Sequence, residues 1–223
     1  MPIALLLACL TVSAPTPAAP EPTVEPTLAQ RGLQLGARLG YALPTGALSN
    51  NASLSTPISQ LETASVPIGI DAGYRLSPTA YLGGTVAWGP GIAPNAQGTC
   101  AAGASCFRQD AQLRAEARFY FTPERRVTWW ASAGAGWEVA AFSQSVNGNG
   151  VTATLTGPVL ADLELGFDTR RSASAVGLYF GLSLAEFLTH GESPAATPVA
   201  TWIDSPSFHA WFTLGLKGSY GPW

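Results

Sequence analysis

The sequence contains few charged residues and no long hydrophobic run. Asp, Glu, Lys and Arg together make up 11% of its 223 residues, whereas soluble domains carry about 25%. Hydrophobic residues make up 47%, yet the longest uninterrupted apolar run is residues 3–10, far shorter than the roughly 20 residues of a membrane-spanning helix. The composition therefore argues against an ordinary soluble domain and against a helical membrane protein.

Basic residues are scarce as well. The chain has 11 Lys and Arg residues against 14 Asp and Glu residues, and no basic cluster exceeds the pairs Arg125-Arg126 and Arg170-Arg171. Nucleic-acid-binding proteins need a basic patch, so we expect no nucleic-acid partner. His190 stands beside Glu192 without further ligands nearby in the sequence, and we expect no metal site and no cofactor.

The N-terminus has the features of an exported protein. Residues 1–19 combine an apolar stretch with small residues suited to a signal peptidase, and we interpret them as a signal peptide. Cys9 in "LLAC" is also compatible with a lipid-attachment site, although we favour an ordinary hydrophobic residue in a discarded peptide. Residues 20–31 are a Pro-rich segment without periodicity, which predicts a disordered lead-in before a domain spanning residues 32–223.

From residue 32 onward, apolar residues recur at every second position. The stretch "GLQLGARLGYAL" (32–43) places Leu33, Leu35 and Leu39 on one side of an extended chain and Gln34 and Arg38 on the other. This period predicts β-strands. Eight segments show it, namely 32–43, 66–76, 81–89, 110–121, 127–139, 155–167, 175–185 and 207–220.

The predicted connections alternate between long and short. Residues 44–65, 90–109, 140–154 and 186–206 form long connections, and residues 77–80, 122–126 and 168–174 form short ones. Long loops at one end and tight turns at the other are typical of transmembrane β-barrels. The pattern therefore predicts an all-β fold, an eight-stranded antiparallel up-and-down transmembrane barrel with short periplasmic turns and long extracellular loops.

The two faces of the strands indicate which side meets lipid. Glycines crowd the polar face, as expected for the narrow interior of an eight-stranded barrel. The apolar face carries no charge, and its aromatic residues concentrate toward the strand ends, as in the aromatic girdles of membrane barrels. We therefore predict that the apolar face is outward, including Leu155 and Val159 in the sixth segment. The outward aromatics are Tyr41, Trp88, Trp137 and Phe208 near the long loops, and Tyr74, Phe119, Phe121, Trp129, Phe167 and Tyr220 near the short turns.

With these segments and loops, region 32–223 resembles the small eight-stranded outer-membrane barrels of Gram-negative bacteria, the OmpA-like and OmpW-like superfamily. The resemblance implies an outer-membrane location, contact with outer-membrane lipid and lipopolysaccharide, insertion by the barrel-assembly machinery, and functions carried mostly by surface loops. Such barrels usually end on an aromatic residue in phase with the lipid face. Here Tyr220 is in phase, whereas Trp223 is not.

The inward-facing positions carry acids and bases in nearly equal number. Buried charges have to be paired and eight strands enclose only space for side chains, so we predict an ion-pair network that fills the interior; a proton or ion pathway is the alternative. We also predict that Arg38 lies directly opposite Asp71 and forms an ion pair with it. The predicted network comprises Arg38, Asp71, Arg75, Asp110, Arg114, Glu116, Arg118, Glu138, Asp162, Glu164 and Lys217.

Two further groups of residues are candidates for chemistry. Ser207 and His209 share the inward face near Glu186, a set similar to the Ser, His and Glu of lipid A deacylase barrels. Their order and spacing match no defined motif, and we expect a hydrogen-bonded histidine rather than an enzyme. Cys100 and Cys106 lie in one predicted loop, and in an exported protein this spacing predicts a disulfide.

Taken together, the sequence favours a non-enzymatic outer-membrane barrel with a plugged interior, which acts in envelope integrity or in surface-loop interactions. One alternative is a small-solute pore or an apolar-molecule conduit of the OmpW-like type. The bulky inward residues Tyr81, Tyr120, Trp130, Tyr179 and Trp211 argue against an open lumen. A second alternative is a lipid A esterase. The loop sequences name no ligand.

Overall fold

Eight antiparallel strands pair into a closed ring in the computed structural model. The structure describes residues 31–47, 57–92, 104–146, 149–193, 201–203 and 205–223. The ring runs β1-β3-β4-β5-β6-β7-β8-β11 and closes between β11 and β1. The elements are β1 (Gly32–Gly46), α1 (Ile58–Leu61), β2 (Ala64–Ser65), β3 (Ile68–Arg75), β4 (Ala80–Ile92), β5 (Ser105–Tyr120), β6 (Val127–Val146), β7 (Asn149–Arg171), β8 (Ser174–Glu186), β9 (Thr189–Ser193), β10 (Thr201–Trp202) and β11 (Phe208–Tyr220). The predicted fold class is confirmed.

Short and long connections lie at opposite ends of the ring, with one exception. Residues 76–79, 121–126 and 172–173 join strands at one end, and the other end carries α1, β2, β9 and β10. The predicted long loop 140–154 is wrong, because β6 extends to Val146 and β7 begins at Asn149. The segment contains Asn-Gly pairs between β-branched residues, which is a hairpin signal.

The alternation of faces holds around the ring, except along part of β7 and at Ala210 of β11, which the period predicts to face outward but which is buried between two buried neighbours. Leu155 and Val159, predicted to face outward, are buried, whereas Leu160 is 48% exposed. The register of β7 shifts by one residue here against both neighbouring strands. Against β6 the shift lies between Gly134 and Gly136 of β6, and against β8 it lies between Val159 and Ala161 of β7. A β-bulge of this kind reverses the faces beyond it, so the prediction for these two residues is wrong.

The first hairpin is also shifted relative to the prediction. Asp71 pairs with Gly36, and Arg38 pairs with Gly69, so Arg38 and Asp71 are not directly opposite each other. The displacement is two residues, which preserves the face of every side chain because the side-chain period of a strand is two.

The outer surface of the ring is an apolar belt. Large hydrophobic side chains on all eight ring strands are exposed, among them Ile70 at 67% and Leu214 at 63%. The fully exposed charged residues of the described segments lie at strand ends or in connections, namely Arg31, Glu124, Arg125, Arg126, Arg171 and Glu192. An apolar surface of this extent is unsuited to water and fits a bilayer. Among the described residues, no helix is long and apolar enough to span a membrane.

Candidate functional site: the filled barrel interior

The polar residues inside the barrel form the candidate functional site. All eleven charged residues that the sequence assigns to the interior are buried in the structure. Three further buried charged residues were missed: Glu62, Arg108 and Asp168. The burial of Arg108 and Asp168 was not predicted because β5 and β7 extend beyond the predicted segments. The burial of Glu62 was not predicted because this residue follows α1 in a predicted loop.

Arg38 is the centre of an ion network in the middle of the barrel. Its Nη2 atom lies 2.5 Å from Asp71 Oδ1 and 3.5 Å from Glu116 Oε2, and its Nη1 atom bonds Glu164. The contact with Asp71 forms despite the shifted register, because an arginine side chain is long enough to reach two residues along the neighbouring strand. One cation is thus shared by three carboxylates.

Two more arginines complete this central ion network. Arg114 pairs with Asp162, and Arg118 Nη2 lies 2.5 Å from Glu116 Oε1. Hydroxyl groups donate to the same carboxylates, from Thr85 to Asp71 at 2.6 Å, from Ser132 to Glu164 at 3.3 Å and from Ser183 to Asp162. These donors stabilise the buried ion pairs by satisfying part of the remaining lone pairs, although Asp71 Oδ2 has no hydrogen-bond partner among the described residues.

Little space remains beside the central ion network. A cavity of about 30 Å³ is lined by Arg38, Asp110, Arg114, Tyr179 and Trp211, among other residues. A buried water needs about 10–15 Å³ on this measure, so the cavity has room for two or three waters. It is too small for a hydrated solute.

An aromatic floor closes the interior at the short-turn end. Tyr81, Tyr120, Trp130 and Tyr179 form a buried cluster. The Arg75 guanidinium lies 4.2 Å from the centre of the Tyr120 ring. Cation–π contacts continue with Arg118 at 4.5 Å and Lys217 Nζ at 4.6 Å from the Trp130 ring. Cations and rings therefore stack across the lumen and hold each other in place.

Trp223 belongs to this floor, whereas Tyr220 points outward. The Trp223 ring packs on the cluster and lies 4.7 Å from the Arg75 guanidinium. Tyr220 is 66% exposed. The sequence phase correctly separates these two aromatic residues.

The inward glycines make room for the floor. A Cβ on Gly166 would lie 2.5 Å from Trp130 Cζ2 and 2.6 Å from the Leu178 carbonyl oxygen. A Cβ on Gly83 would lie within 2.6 Å of the Tyr81 ring. Each ring thus covers a neighbouring backbone that carries no side chain.

An apolar lid closes the long-loop end. Ile58 of α1 packs with Ala140, Leu155 and Phe187, and Phe142 and Ile203 add to the cluster. Leu155 contributes to this lid because the bulge in β7 turns it inward. The inversion that contradicts the predicted face therefore supplies a residue of the lid.

His209 lies directly beneath the apolar lid. Its ring stacks on Phe187 with 4.3 Å between ring centres, and its Nε2 atom is 3.1 Å from Glu138 Oε2. Trp211 Nε1 donates to the other Glu138 oxygen at 3.0 Å. The histidine is thus part of a buried hydrogen-bonded group, as the sequence predicts for this residue.

The candidate esterase residues do not form a catalytic arrangement. Ser207 and His209 are both buried, but among the residues that the structure describes no hydrogen bond joins them. Glu186 is half-buried and pairs with Phe208 across the strands. His190 lies on β9, opposite Leu155 of β7, and the described segments contain no cluster of His, Cys, Asp and Glu suited to a metal.

Glu62 lies outside the strands and has a raised pKa. Its side chain is buried, and burial, together with the charge of Glu138, raises its pKa to about 7, against opposing effects of Arg108 and of a hydrogen bond from Ser65. The carboxyl therefore changes its charge near neutral pH.

Several predictions fall on residues outside the described segments. Cys106 lies on β5 opposite Gln144, but Cys100 is outside these segments, so the disulfide stays a prediction. The same holds for the signal peptide at 1–19 and for residues 20–30 of the lead-in.

Solved structures with the same fold exist. No family model and no curated protein sequence matches the chain. The outer membrane protein AlkL, determined in DMPC lipid bilayers, superposes with a TM-score of 0.51 at 11% identity, covering 95% of this chain and 96% of that chain. Neisserial surface protein A gives 0.49 at 13% identity over 84% and 97%, and a major outer membrane protein of Thermus thermophilus gives 0.49 at 12% over 85% and 100%.

The likeness to AlkL shows the fold, and the surface of the barrel agrees with it. Eight antiparallel strands close on themselves, the outward face is apolar and the inward face is filled with paired charges. This is the inside-out polarity of a protein that is solvated by lipid. In fold, the chain is a small eight-stranded β-barrel like those of the bacterial outer membrane.

Proposed function

We propose that the protein is a non-enzymatic, closed barrel that supports the integrity of the outer membrane and presents its long-loop end to the outside. The observation that carries the proposal is the threefold filling of the lumen by the apolar lid, the central ion network and the aromatic floor. Its partners are outer-membrane lipid and lipopolysaccharide around the belt, and the barrel-assembly machinery during insertion.

The closed lumen distinguishes this proposal from a small-solute pore. Purified protein in planar lipid bilayers is expected to give no steady conductance steps, with a general porin as the positive control. The double variant Tyr120→Ala and Trp130→Ala, which opens the floor but keeps the central ion network, is expected to remain non-conducting too. Steady steps from the unmodified protein would overturn the closed-barrel proposal.

An esterase is the second alternative, and the arrangement of His209 weighs against it. The histidine uses Nε2 to contact Glu138, and among the described residues no base lies in hydrogen-bond contact with the Ser207 hydroxyl. Expression in a Gram-negative host is expected to leave the mass of lipid A unchanged. A loss of acyl chains that disappears in the Ser207→Ala variant, but persists in a matched Ser205→Ala variant, would establish an enzyme instead.

The envelope role is tested in the native bacterium. Deletion is expected to increase sensitivity to detergent and to large antibiotics, and the barrel with a shortened β6–β7 hairpin is expected to restore resistance. If restoration requires the intact hairpin, the role belongs to surface-loop interactions. Unchanged sensitivity of the deletion strain would contradict an envelope role.

A further inference from the structure

The long-loop end of the barrel contains a small closing element, α1, which has a backbone anchor at each end and packs into the apolar lid through Ile58. Pro57, just before α1, bridges Ala47, and β2 just after it pairs with β4 at Ala64–Ile92 and Ser65–Gly91. Between these anchors, Ile58 is 2% exposed and packs into the apolar lid. The anchors hold α1 over the mouth, and the contacts of Ile58 keep it closed.

Glu62 occupies the inner side of this element. Its N–H donates to the Ile58 carbonyl oxygen at 2.9 Å, and the residue is 2% exposed. The carboxyl packs over Gly91, where a Cβ would lie 2.6 Å from Glu62 Cδ and 2.9 Å from Arg108 Cβ. Gly91 therefore leaves room for a carboxyl group beneath α1.

Both acidic and basic groups surround Glu62. Ser65 of β2 and Arg108 of β5 both favour the ionised form of the carboxyl. Glu138 of β6 repels it, Asp110 of β5 faces the same site, and His209 of β11 contacts Glu138. β4 contributes Gly91, which has no charge. Within the described part of the chain, Glu62 Oε1 has no hydrogen-bond partner, so ionisation at this site creates a buried charge that is incompletely paired.

We propose that α1 and Glu62 form a proton-dependent lid over the long-loop mouth, closed while the carboxyl is protonated and released when it ionises beside Glu138. Release moves the ionised carboxyl into water and relieves its repulsion by Glu138. It also exposes Phe187 and His209 to the outside. The inference does not depend on the proposed envelope role, because it rests on contacts at the mouth alone.

The direction of the pH dependence follows from the two states of Glu62. Its pKa is about 7 in the closed lid, against an ordinary value of 4.5 once it is in water. An acid whose pKa is raised in the closed state favours closure fully below about pH 4.5, and this contribution is lost as the pH rises through 7. Linkage between these two values gives a closed-to-open ratio about tenfold smaller at pH 8 than at pH 6.

Hydrogen exchange of residues 58–65 in the full-length protein in lipid nanodiscs tests the lid. After correction for intrinsic rates, protection is expected to fall about tenfold from pH 6 to pH 8. In Glu62→Gln the protection of these residues is expected to be equal at pH 6 and pH 8. The control variant Glu124→Gln, in an exposed turn, is expected to retain the tenfold loss of protection. Equal protection in the unmodified protein, or an undiminished loss in Glu62→Gln, would overturn the proposal.

A second variant keeps the test decisive if Glu62→Gln does not fold. Glu138→Gln removes a negative charge that faces Glu62, so the loss of protection is expected to move to lower pH. An unchanged midpoint in this variant would show that Glu62 does not control the lid. Conductance measurements, which test the closed barrel, are independent of this result.

Discussion

Removal of Arg38 is expected to destabilise the barrel more than removal of any one of its acidic partners. Arg38 is 4% exposed and contacts Asp71, Glu116 and Glu164. Arg38→Leu leaves three carboxylates buried without their shared cation, at a cost of about 4 kcal/mol. Asp71→Leu leaves Arg38 with two acids and costs about 2 kcal/mol, part of it from the unpaired Thr85 hydroxyl.

The double variant distinguishes an ion pair between Arg38 and Asp71 from two independent losses of stability. Arg38→Leu with Asp71→Leu is expected to cost about 4 kcal/mol rather than 6, a coupling of about 2 kcal/mol. The free energies of unfolding come from urea titrations in lipid vesicles, followed by tryptophan fluorescence. Arg171→Leu, at an exposed position, is the matched control and is expected to be additive with Asp71→Leu. Additivity of the Arg38 and Asp71 losses would refute the network.

Three further predictions concern other parts of the barrel. Leu160→Arg places a charge on the lipid face and is expected to lower the free energy of unfolding in urea by about 2–4 kcal/mol. Thr169→Arg, at the exposed end of the same strand, is expected to cost less, and an equal loss would contradict the prediction. Gly166→Ala forces a methyl group against Trp130 and is expected to cost about 1–3 kcal/mol, while Gly191→Ala, which has open space around it, is expected to be neutral; equal losses would contradict the packing. Intact-mass analysis of the exported protein is expected to give a mass two hydrogens lower than that of the reduced protein, because of a disulfide between Cys100 and Cys106. Two free thiols would exclude the disulfide.

The sequence predicts the fold and the sidedness of the barrel because both depend on a period of two. Arg38 and Asp71 illustrate the limit of this information. Their shared inward face follows from the period, but the hairpin register depends on how α1 and β2 fill the connection between the strands. A shift of two residues leaves the pattern of faces unchanged, so the pattern cannot detect it.

The features that sequence reasoning missed arise where the period changes or strands extend into connections. Leu155 and Val159 reverse their faces because one additional residue enters β7, and an apolar residue fits either side of that bulge. Glu62 sits in a stretch without strand periodicity, and its burial depends on contacts with Gly91 and Arg108 from distant strands. Such contacts become visible only once the strands are assembled.

The most direct test of the central claim asks which solvent the apolar face meets. Nitroxide labels at Leu165 and Phe180, on the outward face of β7 and β8, are introduced into a cysteine-free variant and reconstituted in lipid vesicles. Both labels are expected to be relaxed by oxygen and to be inaccessible to a water-soluble nickel reagent, whereas a label at Glu124 in the exposed turn is expected to be accessible to nickel. Nickel access at Leu165 and Phe180 equal to that at Glu124 would contradict a membrane-embedded barrel.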